Sequence, residues 1–193
     1  MIIQETDVIY ETDIVGIDEV GYGCWAGPVY VCALRLIKPS SHRFFDSKSI
    51  SHAKRIELSA IIAQVAVWQI GVGSVEEINQ RGLAYAYRKA IERAIEPFET
   101  QRLVIDGRRP SWMSYLNCTA VIKGDEKIQA ISAASIIAKV ERDRLMSELA
   151  KVHPQYGFER NKGYGTAEHI AALGEHGFCG QHRTSYDLEK YLR

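Results

Sequence analysis

The sequence has no apolar run that approaches the ~20 residues a helix needs to span a bilayer. Its first residues, Met-Ile-Ile-Gln-Glu-Thr-Asp, are acidic and lack the basic start of a secretory signal. Of its 193 residues, 46% are hydrophobic and 25% are charged, which is typical of a globular protein. We therefore expect a cytoplasmic protein without membrane partners, formed by a single domain over residues 1–193.

Cysteine and histidine patterns that bind zinc are also absent. The four cysteines, Cys24, Cys32, Cys118 and Cys179, are scattered, with no Cys-x-x-Cys pair and no histidine at zinc-ligand spacing. We expect reduced, structural thiols. The formal net charge is zero, so bulk electrostatics does not by itself indicate a nucleic-acid-binding protein.

The glycines of residues 21–27, called the glycine turn below, lack the spacing of a dinucleotide-binding motif. That motif is Gly-x-Gly-x-x-Gly, whereas this segment reads Gly21-x-Gly23-x-x-x-Gly27. The turn also follows Asp18 and Glu19, and two carboxylates at that place would repel a pyrophosphate. Dinucleotide binding is therefore excluded.

What the sequence does contain is a buried strand that ends in two adjacent carboxylates, Asp18 and Glu19, ahead of the glycine turn. Paired carboxylates repel each other and resist burial unless a cation accompanies them. Hard divalent cations such as Mg²⁺ take oxygen ligands, and glycines let a ligand approach the backbone closely. This stretch predicts a metal-dependent enzyme that acts on a phosphate-bearing substrate.

The order of predicted elements is typical of an α/β fold with a mixed five-stranded sheet flanked by helices. Residues 1–12 are expected to form a loose start, and residues from about 150 onward a helical extension. Strands are predicted over residues 13–18, 29–37, 65–72, 102–106 and 119–125. Helices are predicted over residues 52–64, 83–95, 128–146 and 167–173, and a further helix begins after Ser74; Ser51, Ser74 and Thr166 are the expected N-caps.

Three predicted strands end in acids: Asp18-Glu19, Asp106 and Asp125. If these strand ends are neighbours, four carboxylates meet at one edge of the sheet. Two divalent ions ~3.5–4 Å apart would make such a cluster a phosphodiester-cleaving site. For Asp125 alone, capping of the following helix is an open alternative.

Several polar residues outside this cluster have two open interpretations. Lys48 is a candidate phosphate contact or an exposed loop lysine. Tyr164, between two glycines, is expected to stack on a sugar or base, or else to pack on the surface. The segment His182-Arg183-Thr184-Ser185 offers donors for phosphate oxygens, or it is a polar tail.

A set of ordered motifs between residues 14 and 186 resembles type 2 ribonuclease H, also called ribonuclease HII. The matching motifs are Gly16-Ile-Asp-Glu-Val-Gly-Tyr-Gly23, Ala26-Gly-Pro-Val29, Asp46-Ser-Lys48, Ile105-Asp-Gly107, Lys123-Gly-Asp125, Ser132-Ala-Ala-Ser-Ile-Ile-Ala-Lys139, Asn161-Lys-Gly-Tyr-Gly-Thr166 and His182-Arg-Thr-Ser185.

The resemblance implies a ribonuclease H-like fold and an endonuclease that uses Mg²⁺ or Mn²⁺. It implies cleavage of the RNA strand of RNA–DNA hybrids and incision 5′ of ribonucleotides embedded in duplex DNA, leaving 3′-hydroxyl and 5′-phosphate ends. By resemblance, Asp18, Glu19, Asp106 and Asp125 are the catalytic metal ligands. The implied substrate-binding residues are Gly21, Tyr22 and Gly23 at the ribose 2′-hydroxyl, Tyr164 on the following deoxyribose, and Lys48 and Arg183 at phosphates. The protein is expected to act as a monomer.

Tyr22 departs from the family pattern, which usually has Gly-Arg-Gly where this chain has Gly21-Tyr22-Gly23. The related type 3 ribonucleases H have another residue at the middle position, and they cleave hybrids but single ribonucleotides poorly. Type 3-like specificity is therefore the first alternative. A non-catalytic nucleic-acid-binding module and a phosphotransferase with glycine turns around a nucleotide are two others.

Overall fold

A computed structural model of the protein describes residues 12–40 and 42–191. The predicted loose start therefore lies outside the described residues, except for Thr12. A five-stranded sheet with the order β3-β2-β1-β4-β5 forms the centre. Its strands are β1 (Ile14–Val20), β2 (Val29–Leu36), β3 (Ala66–Gly73), β4 (Arg102–Asp106) and β5 (Cys118–Val121).

The sheet is mixed, as predicted. Strand β2 pairs with β1 and β3 in antiparallel register, whereas β4 pairs with β1 and β5 in parallel register. Residues Val15 and Ile17 of β1 belong to a hydrophobic cluster on one face of the sheet, and Ile14 belongs to another on the opposite face. The parallel pairing brings the ends of β1, β4 and β5 to one edge of the sheet.

Seven α-helices surround this sheet in the described part of the chain. They are α1 (His52–Val65), α2 (Val75–Arg81), α3 (Leu83–Ile95), α4 (Gly124–Lys127), α5 (Gln129–Val152), α6 (Phe158–Asn161) and α7 (Ala167–His176). Short 3₁₀ helices occur at Glu96–Phe98, Ser111–Tyr115, Pro154–Tyr156 and Glu189–Tyr191. No described helix combines the length and the apolar composition needed to cross a membrane.

The predicted N-caps are confirmed. Ser51 accepts a hydrogen bond from the amide of Lys54, and Thr166 accepts one from the amide of His169. Ser74 and Glu77 form a reciprocal capping box at the start of α2. These side chains satisfy first-turn amides that have no partner within the helix, which is why the helices begin where the sequence indicated.

Helix α5 lies directly on β1 because small residues meet at the contact. A Cβ on Gly16 would come within 2.3 Å of the backbone of Ala130, so only glycine fits at this crossing. The N-terminal half of α5 is buried, as its alanines and serines predicted. The helix continues to Val152, six residues beyond the predicted end at residue 146. Its C-terminal half packs with residues of the predicted helical extension, including Tyr156, Phe158 and Leu173.

Two predicted strand ends are wrong. Strand β1 continues to Val20, so Asp18 and Glu19 lie within it rather than at its end. Strand β5 stops at Val121 instead of reaching Asp125. Lys123 then adopts a left-handed conformation with φ 55°, which breaks the extended chain, and Asp125 lies in the short helix α4.

Candidate active site

Asp18 lies on the face of the sheet covered by α5 and is 5% exposed. Its Oδ1 accepts a hydrogen bond from the amide of Glu19 at 2.8 Å, and its carboxyl group also contacts the hydroxyl of Ser135 in α5. Burial, followed by the neighbouring charge of Glu19, raises the pKa of Asp18 to about 8. Without a cation, this carboxyl group therefore holds a proton near neutral pH.

Glu19 points away from α5, because successive side chains of a strand alternate between the two faces. The hydroxyl of Tyr87, from α3, donates a hydrogen bond to its Oε2 at 3.1 Å. Burial, opposed in part by this hydrogen bond, raises the pKa of Glu19. The two adjacent carboxylates are thus held by different helices on opposite sides of β1.

Asp106, the last residue of β4, links this strand to the start of α4. Its Oδ1 accepts a hydrogen bond from the amide of Gly124 at 2.6 Å. Glu19 and Asp125 both have a raised pKa in part because of the charge of Asp106. Asp106 is therefore close to the other three acids. We call Asp18, Glu19, Asp106 and Asp125 the acid edge.

Asp125 is buried in the first turn of α4. Burial, and then the charges of Asp106 and Asp46, raise the pKa of its carboxyl group. It does not cap the following long helix, because the N-cap of α5 is Ile128 and no side chain bonds to that helix start. The helix-capping alternative for Asp125 is therefore wrong.

Asp46 is a carboxylate that the sequence interpretation did not place at the site. It shares a hydrogen bond with Asp125, and its Oδ1 also accepts one from the amide of Lys48 at 3.0 Å. Lys48 is exposed, and its charge lowers the pKa values of Glu19 and Asp125 against the larger effect of burial. The lysine thus lies beside the acids.

The loop that contains Asp46 and Lys48 is fixed to α5 on both sides. Gln129 accepts a hydrogen bond from the amide of Phe44 and donates one to its carbonyl, at 2.6 and 3.1 Å. Ser135, the residue that contacts Asp18, donates to the hydroxyl of Ser47 at 2.8 Å. One helix therefore positions both Asp18 and the loop with Lys48.

The ligand atoms of the acid edge suit a divalent cation, but they do not form a complete coordination site. Its donors are carboxylate oxygens, which hard cations prefer, and three of the four carboxyl groups have raised pKa values that a cation would lower. Within residues 12–40 and 42–191, however, no three His, Cys, Asp or Glu side chains are grouped as a ready metal site. Asp18 and Glu19 leave β1 on opposite faces and have different partners, Ser135 and Tyr87.

The glycine turn begins two residues after Glu19. Gly21 has φ +85°, a conformation that L-residues rarely adopt, and it is buried. Tyr22 and Gly23 are exposed. The ring of Tyr22 packs edge-on against Tyr87 with 5.2 Å between centroids, so Tyr87 contacts both Tyr22 and Glu19.

Arg183 was predicted to contact a phosphate, and the structure contradicts this. Its side chain is fully buried, and its guanidinium donates hydrogen bonds to the carbonyls of Gly21, Tyr22 and Gly27 at 2.6, 2.8 and 2.9 Å. The side chain has no surface with which to reach a phosphate. Its contacts are with the glycine turn itself.

Tyr164 lies beside the glycine turn and is 40% exposed. The carbonyl of the preceding residue, Gly163, accepts hydrogen bonds from the amides of Trp25 and Ala26 at 2.8 and 3.1 Å. Gly165 has room only for hydrogen, since a Cβ there would meet the ring of Trp25 at 2.4 Å. The flanking glycines thus fix the loop against the turn while the phenol ring keeps an open side.

His182 was a candidate phosphate donor, but it is buried against His169 instead. The amide of Cys179 donates to its Nδ1 at 2.8 Å, so its proton lies on Nε2 and faces Nε2 of His169 at 3.0 Å. His169 then donates from Nδ1 to the carbonyl of Tyr164 at 2.9 Å. Both histidines are therefore neutral, and they connect the C-terminal segment to the loop that presents Tyr164.

Sequence reasoning thus missed Asp46, Tyr87 and Ser135 as parts of this site. Asp46 and Ser135 had a signal, because each belongs to a motif that contains or flanks a candidate residue. Tyr87 had none: it is one polar position on a long helix, and its partner Glu19 lies 68 residues away in the sequence.

Solved structures with the same architecture support the predicted fold class. Ribonuclease HII of Archaeoglobus fulgidus, solved in a complex with PCNA, superposes with a TM-score of 0.78 at 24% identity, covering 93% of this chain and 96% of that one. Bst-RNase HIII in complex with Mn²⁺ superposes with a TM-score of 0.69 at 16% identity, covering 93% of this chain and 68% of that one. The fold is that of ribonuclease H-type nucleases, metal-dependent endonucleases that hydrolyse RNA.

Sequence comparison identifies the family within this class. A family model described as Ribonuclease HII matches residues 15–189. The ribonuclease HII of Sphingopyxis alaskensis is 43% identical over 176 residues, which cover 90% of this chain and 88% of that protein. The chain belongs to the ribonuclease HII family, whose members act on RNA–DNA hybrids. The resemblance drawn from the motifs is confirmed.

Proposed function

We propose that this protein cleaves the RNA strand of RNA–DNA hybrids and incises 5′ of single ribonucleotides in duplex DNA. The products are a 3′-hydroxyl and a 5′-phosphate. The observation that carries the proposal is the position of the glycine turn, whose Gly21 follows Glu19 of the acid edge by two residues. A group able to sense a ribose is thereby held next to the groups that would bind metal.

Asp18, Glu19, Asp106 and Asp125 would hold Mg²⁺ or Mn²⁺, with two ions expected during hydrolysis. When bound, the ions supply an activated water and stabilise the leaving oxygen. The chain itself orients the substrate. Lys48 lies beside the acids and is exposed, so its ammonium can contact a phosphate there. Tyr164 offers the open side of its ring to a sugar on the other side of the glycine turn.

The test is a cleavage assay on two labelled duplexes, an RNA–DNA hybrid and a DNA duplex with one ribonucleotide, each with Mg²⁺ and with Mn²⁺. We expect the parent protein to cut both on the 5′ side of a ribonucleotide and Asp18→Asn to cut neither. Asp13→Asn, an exposed acid outside the acid edge, is the matched control. Binding of both duplexes without cleavage under either metal would instead support a non-catalytic binding module.

A second candidate function is type 3-like specificity, in which hybrids are cleaved well and single ribonucleotides poorly. Tyr22 favours it, because this exposed ring packs on Tyr87 and brings no positive charge to the phosphates. We expect Tyr22→Arg to increase single-ribonucleotide incision more than hybrid cleavage. Equal effects on both substrates would contradict a role of Tyr22 in specificity.

Two further expectations belong to this proposal. The protein is proposed to act as a monomer in the cytoplasm, with residues from about 150 onward as a substrate-binding extension of a single domain. Light scattering at assay concentrations measures the oligomeric state. A dimer that persists on dilution to nanomolar protein would contradict the monomer.

A further inference from the structure

Two buried arginines lie beneath the glycine turn. Besides Arg183, the fully buried Arg142 of α5 donates hydrogen bonds to the carbonyls of Ala26 and Pro28 at 3.0 and 2.9 Å. Its third donor bonds to the carbonyl of Lys162, in the loop that leads to Tyr164, at 2.8 Å. Together the two guanidinium groups, called the arginine clamp below, hold five carbonyls of residues 21–28.

Burial of the two arginine side chains is expected to cost folding free energy, so a contribution to stability does not explain the arginine clamp. Neither Arg142 nor Arg183 forms an ion pair with a carboxylate among the residues that the structure describes. A buried charge without an opposite charge is expensive even when it is hydrogen-bonded. Two such charges side by side under one short segment therefore indicate a role in setting the shape of that segment.

The clamp decides which way the amides of the turn point. Because a trans peptide unit is planar, its N–H points opposite to its carbonyl. Arg183 draws the carbonyls of Gly21 and Tyr22 inward, so the amides of Tyr22 and Gly23 point outward. Neither amide donates a hydrogen bond to any residue in the described ranges 12–40 and 42–191. Two adjacent donors are thus presented to solvent beside Glu19.

We propose that Arg142 and Arg183 are positioning residues for ribose discrimination. This inference rests on the proposed function, in which the glycine turn senses the ribose 2′-hydroxyl, and it assigns to the two arginines the outward direction of the Tyr22 and Gly23 amides. Arg142 lies beneath the glycine turn and stabilises the same backbone conformation through the carbonyls of Ala26 and Pro28. Its Nε would lie 2.1 Å from a Cβ on Gly21, so the clamp and the glycine require each other.

The test exchanges arginine for lysine, which keeps the charge but cannot donate to three carbonyls in a planar fork. We expect Arg183→Lys to lower kcat/KM for the single-ribonucleotide duplex about tenfold more than for the RNA–DNA hybrid, the order expected for lost charge-assisted hydrogen bonds. Arg93→Lys is the matched control, because Arg93 also donates to a backbone carbonyl, that of Val72, but lies away from the turn. It should leave both activities unchanged.

Two further measurements separate a positioning role from a loss of folding. Tyr186→Phe removes a hydroxyl that accepts from Arg183 Nη1 at 3.1 Å and donates to the carbonyl of Tyr22 at 3.4 Å, and it should shift the substrate ratio in the same direction by a smaller factor. In metal-free buffer, the parent should bind the single-ribonucleotide duplex more tightly than an all-DNA duplex, and Arg183→Lys should reduce this preference.

The outcomes distinguish this inference from the proposed function. If the parent cleaves neither substrate, the proposed function itself is wrong. If the parent cleaves both, and Arg183→Lys and Tyr186→Phe leave the ratio of the two kcat/KM values and the binding preference unchanged, the arginine clamp has no role in discrimination. Equal decreases in kcat/KM on both substrates would also show that the arginine clamp has no role in discrimination.

Discussion

The acid edge and the glycine turn lie two residues apart in the sequence but differ in how far each is preorganised before a ligand binds. In the turn, the arginine clamp satisfies the carbonyls and fixes the backbone before any ligand arrives. At the acid edge, burial and repulsion raise the pKa values of Asp18, Glu19 and Asp125, and no compact three-ligand group exists among the described residues. The turn is preorganised, whereas the acid edge requires a cation.

The largest effect that tests this difference is expected from Asp18→Asn. Loss of one electrostatic group at a reacting centre lowers kcat by about a hundredfold to a thousandfold. We expect a decrease of at least this order on both substrates, measured at saturating Mg²⁺ and Mn²⁺. An activity within tenfold of the parent would show that Asp18 is not a metal ligand.

The same substitution should stabilise the metal-free protein. The folded-state pKa of Asp18 is about 8 against an ordinary value of 3.8, so the folded state binds a proton that the unfolded state releases. The parent therefore loses stability as pH rises between these values, by on the order of a few kcal/mol at pH 8. Asp18→Asn lacks this loss. Denaturant unfolding in EDTA should show a stability gain at pH 8 that shrinks toward pH 4, and a gain independent of pH would mean that the buried Asp18 carboxyl is not its source.

The preorganised turn is tested by two alanine substitutions, Gly21→Ala and Gly23→Ala. Gly21 has φ +85° and faces Arg142, whereas a Cβ on Gly23 would meet nothing within 4 Å. We expect Gly21→Ala to destabilise the fold by about 1–3 kcal/mol, with a decrease in Tm of several degrees. Gly23→Ala should change stability by less than about 0.5 kcal/mol.

Gly23→Ala is also the sharper functional probe of the pair. Its methyl group would lie on the exposed side of the turn, so we expect single-ribonucleotide incision to decrease while Tm stays constant. If both glycines tolerate alanine equally, the arginine clamp does not hold the turn in one conformation.

The contrast between the two regions also explains what the sequence could predict. Strand and cap signals are local, so the starts of the five longest helices and the mixed sheet followed from residue patterns, which also indicated the four carboxylates as a candidate group. The end of β5 did not, because the apolar, strand-like run continues to Ile122 and nothing in the sequence marks the left-handed conformation of the following Lys123. Arg142 and Arg183 could not be assigned, since arginine is exposed by default and only the tertiary structure shows that carbonyls surround it. Local patterns thus indicated the candidate acids, whereas only tertiary contacts show which residues hold them.

A smaller, pH-dependent effect is expected from His169 and His182. Burial, together with the neighbouring His169, lowers the pKa of His182 to about 4, and burial lowers that of His169. A lowered histidine pKa contributes stability that is present above about pH 6.5 and is lost as pH falls toward 4. The parent curve minus the His182→Asn curve reports this contribution together with any change in the titration of His169, which contacts His182. We expect a difference of on the order of 1–3 kcal/mol at neutral pH that decreases on acidification.

His52→Asn, at an exposed histidine, is the control for this comparison and should show no such difference. A difference for His182→Asn that stays constant from pH 7 to pH 4 would mean that the neutral histidine pair is not its source.

The smallest effect concerns the contact between the two regions. Tyr87 touches both, because its hydroxyl donates to Glu19 and its ring packs against Tyr22. Tyr87→Phe keeps the ring contact and removes only the hydrogen bond, so Glu19 is held less firmly for a metal ion. Partners that orient metal ligands typically contribute about ten- to a hundredfold in metal affinity or activity. We expect about a tenfold rise in the Mn²⁺ concentration for half-maximal cleavage, with nearly full activity restored by excess metal.

Substrate preference separates the two functions of this tyrosine. With Tyr87→Phe at saturating Mn²⁺, the ratio of single-ribonucleotide to hybrid cleavage should equal that of the parent, because the ring still supports Tyr22. Tyr87→Leu removes the ring as well and should change this ratio. If Tyr87→Phe already changes it, the hydroxyl couples the acid edge to the glycine turn, and the preorganised region then depends on the one that requires metal.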